Sequence, residues 1–132
     1  MSERIETTAI RNLIHNEEYC RKVLPFIKEE YFTDRLEKLI FTEIYKFVNK
    51  YNNLPTKESL SIEMNTNKGV SEGEYKKMNE IISSLNPEPI NLDWLVETTE
   101  IWCKDRAIHN AILGGIQILD GKDKDHTPEY LP

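Results

Sequence analysis

The stretch LDWLVETTEIWCKDRAIHNAILGGIQIL, Leu92–Leu119, decides how the rest of the chain is read. No proline interrupts it, and its only glycines, Gly114 and Gly115, fall in its last third. Asn91 precedes it as an N-cap, Asp93 and Glu97 put negative charge near the positive end of the helix dipole, and Gly121 supplies a stop. The spacing therefore predicts one long helix, far beyond the usual helix length of about 11–12 residues. Steps of about 100° per residue separate two halves. In the first, Leu92, Leu95, Val96, Trp102 and Cys103 share a face, with Trp94 and Ile101 nearly opposite. In the second, Ala107, Ile108, Ala111, Ile112, Leu113, Ile116, Ile118 and Leu119 spread around most of the circumference. A helix apolar on nearly all sides needs neighbours on nearly all sides. The expectation is that this end contacts another segment or another chain; the alternative is a long helix running through the middle of a monomeric bundle.

Upstream, Asn86–Pro87–Glu88–Pro89 is a rigid joint before the long helix. The helix before it starts at the capping box Ser71…Glu74 and carries Tyr75, Met78, Ile81, Ile82 and Leu85. A polar loop, 65–69, separates it from a weaker helix capped by Thr56 and carrying Leu60 and Met64. The strongest amphipathic pattern runs from Thr33 to about Tyr51: Leu36, Leu39, Ile40, Ile44, Phe47, Val48 and Tyr51, widened by Phe41 and Tyr45. Two short helices come first. Ser2 caps one with the stripe Ala9, Ile10, Leu13, Ile14, and Asn16 caps another with Tyr19 and Val23 inward, ended or redirected by Pro25. The adjacent aromatics Tyr31 and Phe32 read as a plug at the bottom of the core. No stretch reads as a strand. The fold class is all-α: about five shorter helices in a multi-helix bundle, then one long C-terminal helix.

The 132 residues are enough for one core without disulfides or metal. A net charge of −6 sets the domain against a phosphate backbone, and the local basic spots Lys76–Lys77 and Lys46 with Lys50 do not reverse that. Cys20 and Cys103 are far apart and form no C-x-x-C pair, so they read as reduced, half-buried residues, with a disulfide as the alternative. No signal peptide and no apolar run long enough to span a bilayer is present, which predicts no membrane contact and a cytoplasmic protein.

Sites for chemistry are absent from the pattern. No Glu-x-x-His pair suggests a di-metal centre, and His109, one turn after Asp105, reads as a surface neighbour rather than a ligand. His15 sits near a helix C-terminus, where a partly positive imidazole is favourable without catalysis. Neither cysteine has a flanking nucleophile motif, and Gly121–Lys122 is followed by Asp123 instead of the Ser or Thr of a phosphate loop. Trp94 and Trp102 read as packing residues rather than base-stacking platforms. No catalytic, cofactor-binding or metal-binding residues are expected.

Several blocks in order then resemble the N-terminal domain of DnaB-like replicative DNA helicases, most closely those of T4-like bacteriophages. They are Lys22–Val23, Pro25 and Glu30–Tyr31–Phe32; Phe41, Ile44, Tyr51 and Pro55; Glu74–Tyr75, Ile82 and Leu85; and, most specific, Trp94–Leu95–Val96, Thr99–Glu100, Arg106–Ala107 and Asn110–Ala111. The resemblance implies a parent that is a hexameric, ATP-driven helicase, with ATP and Mg bound in a separate motor domain and DNA engaged only through the hexamer. It implies that this segment is a collar domain mediating subunit assembly and primase contact in a phage-infected host cytoplasm. By that resemblance residues 1–90 are a globular head, 91–120 the first arm of an oligomerisation hairpin, and 121–132 a flexible tail toward a missing linker and motor. The expected interface for a dimer or higher assembly is Ile108, Ala111, Ile112, Gly115, Ile116 and Leu119. Burying Ile108, Ile112, Ile116 and Leu119 would contribute about 6–12 kcal/mol before association costs. The alternative reading is a free-standing helical protein–protein adaptor or phage regulator.

Overall fold

Short polar side chains that satisfy first-turn amides mark where most of the helices begin. The Asn16 side chain accepts from the Tyr19 amide at 3.0 Å, and that of Asn91 from the Trp94 amide at 2.9 Å. Thr56 with Ser59, and Ser71 with Glu74, form reciprocal capping boxes. The computed structural model describes residues 4–119, with side chains through residue 115. Its elements are α1 (Ile5–His15), α2 (Glu17–Val23), a 3₁₀ turn (Glu29–Tyr31), α3 (Arg35–Tyr51), α4 (Lys57–Asn65), α5 (Glu72–Ser84) and α6 (Leu92–Leu119). There is no strand among the described residues. The fold is all-α, as the periodicity predicts.

Two helix starts differ from the sequence expectation. α3 starts at Arg35, not at Thr33, behind an Asp34 cap: the carboxylate accepts from the Leu36 and Glu37 amides at 2.8 and 3.2 Å. A charged acceptor at the positive end of the dipole outcompetes a hydroxyl one residue earlier. α1 starts after Arg4, which makes no side-chain cap. Ser2, the expected cap, lies outside the described residues, as do Gly121 and the tail 121–132.

The core gathers one side of every helix. Ala9, Ile10, Leu13 and Ile14 of α1 meet Tyr19, Cys20 and Val23 of α2, Ile40, Phe41 and Ile44 of α3, and Leu95, Trp102 and Cys103 of α6, all buried. Leu60, Met64, Met78 and Ile82 close the α4–α5 side. Tyr31 and Phe32 do plug the core. Phe32 stands edge-on to Trp102 at 5.1 Å and against Phe41 at 5.0 Å, and Tyr31 stands edge-on to Trp102 at 6.2 Å. The α3 stripe is narrower than its pattern: Tyr45 and Tyr51 are exposed, and the Tyr51 ring lies tilted against Phe47 at 4.7 Å instead.

Polar ties pin the ends of elements together. Glu37, buried on α3, accepts from Arg4 and Thr7, each at 2.7 Å, which holds α1 against α3. His15 Nε2 meets the Leu85 carbonyl at 2.6 Å, joining the end of α1 to the end of α5. Lys57 donates to the Ser83 carbonyl and to Asn86 Oδ1, at 3.2 and 3.0 Å, tying α4 to the Pro87–Pro89 joint. Asn52 ends α3 in the left-handed region (φ 56°), and Arg21 donates to its side chain and its carbonyl.

Candidate interaction surface on the long helix

α6 is held by the head along one side only. Leu95, Thr99, Trp102 and Cys103 are buried, while Leu92, Val96, Arg106 and Asn110 are half-buried on the same side. Asn110 Nδ2 donates to the Glu30 carbonyl at 3.3 Å, the last tie between α6 and the 3₁₀ turn. Trp94 and Ile101 point the other way and are each 54% exposed, as the wheel predicts.

Beyond Asn110 the helix outruns its head. Leu113 follows Leu95 by eighteen residues, five turns at ~3.6 residues per turn, and so lies at the same azimuth. Leu95 is 0% exposed, whereas Leu113 is 46% exposed. Ile108 and Ile112 are 60% and 57% exposed, and Ala111 is exposed as well. Of the six residues expected to form an interface, these three are bare and Gly115 is half-buried. The side chains of Ile116 and Leu119 lie outside the described residues. Gly114 and Gly115 have open space where a side chain would be.

Thr99 is polar at an apolar position, so periodicity gives no sign of its structural role. Its Oγ1 donates to the Leu95 carbonyl at 2.7 Å and lies 2.7 Å from the Tyr19 hydroxyl. The Thr99 proton is committed to Leu95, so Tyr19 is the donor. Burial raises the Tyr19 phenol above its ordinary range. The α6–α2 contact thus carries one buried polar link within an apolar seam.

Cys20 and Cys103 belong to the packed core. Both cysteines are free and buried, deeper than the half-burial expected of them. Burial pushes the Cys20 thiol up to about 11 and the Cys103 thiol up to about 12, so both are protonated near neutrality and poor nucleophiles. Asp105 and His109 are exposed on α6, and among the described residues no three His, Cys, Asp or Glu side chains cluster as a metal site. No helix among the described residues is long and apolar enough to cross a membrane.

The chain is 33% identical over 109 residues to a DnaB-like replicative helicase of Enterobacteria phage T4. That match covers 83% of this chain and 23% of the helicase, so the chain spans less than a quarter of its relative's length. No family model matches the chain.

Proposed function

We propose that these residues form the N-terminal collar domain of a phage replicative DNA helicase, an assembly module that mediates subunit association and contacts the primase. The observation that carries this reading is the extent of the likeness to the T4 helicase. It runs over 109 residues, most of the helical head, and not over a short motif. In this reading ATP and Mg act in a motor domain elsewhere in the parent protein, and DNA is engaged by the assembled hexamer. The part of α6 that outruns the head is the first arm of a hairpin that pairs with a neighbouring subunit. The bare Ala111, Ile112 and Leu113, all past Asn110, support that role, because apolar side chains on several sides of one helix gain most from a partner that wraps it.

Light scattering over a concentration series tests the assembly half of the proposal. The expected result is a mass that rises above monomer with concentration, and a double variant Ile112→Asp/Ile116→Asp that stays monomeric with unchanged far-UV helicity. A parent chain that remains monomeric at high concentration overturns it. The helicase half is tested by the coding sequence downstream. A strand followed by a Gly-Lys-Ser/Thr loop is expected, and its absence would favour a free-standing adaptor.

A further inference from the structure

The half of α6 that packs on the head leaves its outer side bare. Trp94, Ile101 and Ile108 recur at seven-residue steps and are all more than half exposed, forming one ridge of about 21 Å at ~1.5 Å per residue. Carboxylates line this ridge. Asp93, Glu97, Glu100 and Asp105 are exposed there, against a single ammonium, Lys104. Beside the ridge a cavity of about 320 Å³ opens between α6 and the connector after α2, lined by Phe26, Tyr31, Glu100, Cys103, Lys104 and Ala107. A larger trough of about 1010 Å³ runs along α5, but one helix supplies its whole lining and no second wall grips an occupant.

We infer that this half of α6 docks a basic amphipathic helix of another protein, with one apolar side chain seated in the cavity and lysines or arginines set against the acids. Apolar residues at heptad spacing match a helix with the same spacing. A cavity walled from two elements holds a single anchoring side chain. The acidic rim selects the charge of the partner. A second copy of this chain fits poorly, because each copy brings four carboxylates and one ammonium to the face. Parallel pairing sets like charges together. Antiparallel pairing about Ile101 sets Glu97 opposite Asp105, with Lys104 the one exposed cation nearby and Arg106 half-buried toward the head. This inference rests on the outer face of α6 alone and not on the helicase reading.

The test is a display selection on the 132-residue chain with a library of helical peptides, Leu or Ile fixed at the heptad core positions and Lys, Gln or Glu allowed at the flanks. Lys is expected to dominate Glu at the flanks of the selected pool. Loss of a ridge side chain or of the cavity wall, by Ile101→Asp or Ala107→Arg, weakens the selected peptides about tenfold or more. Ile62→Asp, at an exposed position on α4, leaves their affinity unchanged. Glu97→Lys with Glu100→Lys turns the preference toward acidic flanks. Equal recovery of Lys and Glu overturns the inference, as does undiminished binding to Ile101→Asp. If no peptide is selected and Ile101→Asp converts a dimer to monomer, the face is a homotypic contact and the inference fails. Every substituted side chain is exposed, so each variant keeps the fold.

Discussion

Thr99 shows how one polar atom can fix the seating of a helix. Replacing it with Val keeps shape and size but leaves the Tyr19 hydroxyl buried without an acceptor, which costs about 1–3 kcal/mol. Urea denaturation of Thr99→Val should show a lower midpoint with the slope retained. An unchanged midpoint would mean that the hydroxyl finds another partner. The buried thiols make a second prediction, about pH. Their folded-state values are raised from an ordinary 9.0, to about 11 for Cys20 and about 12 for Cys103, by burial. The folded state keeps protons that the unfolded chain releases, so this contribution to stability is fully present below pH 9 and is lost as pH rises toward 12. Tyr19, raised by the same cause, extends the loss at the alkaline end. Urea midpoints should fall between pH 9 and 10 in the parent chain and fall less steeply in Cys20→Ala/Cys103→Ala. An identical slope in the double variant would remove the thiols from the account.

At the scale of the element, α6 is two helices in one: a packed half, and an arm that holds its shape with little tertiary help. Gly114 lies in that arm with open space around it, and glycine inside a helix costs ~0.5–1 kcal/mol relative to alanine. Gly114→Ala should therefore slow amide exchange in the arm about two- to five-fold, with the head unchanged. No change would mean that the arm is not limited by its own helix propensity. This division was legible in the sequence. A wheel with a stripe through Leu95 and Trp102 that widens past Ala107 separates a docked half from an undocked one. Caps made of Asn16, Thr56, Ser71 and Asn91 were legible for the same reason, since each acts within one turn. Features not legible in the sequence depend on distant residues. Glu37 reads as a solvated position until Arg4 and Thr7 arrive from α1 to satisfy it. Thr99 reads as a break in the stripe until Tyr19 arrives from α2. The cavity beside Ala107 needs Phe26 and Tyr31, which only the tertiary fold brings there.

For the whole molecule, the arm and the head share one unbroken backbone from Leu92 to Leu119, with no loop between them. Whatever the arm presents is therefore set, like the hand of a clock, by the head's own orientation. Adding a single alanine between Ala107 and Ile108 advances everything downstream by about 100° and ~1.5 Å, while a seven-residue insertion returns it to within about 20° of its starting phase. The one-residue insertion should abolish any self-association seen by light scattering while leaving the head's thermal unfolding in place, and the seven-residue insertion should restore it. Equal association by both would mean that the arm swivels freely. Rotational timing between the two ends, rather than the identity of any one side chain, is then the quantity that a rigid rod of this kind transmits from the head to a neighbour.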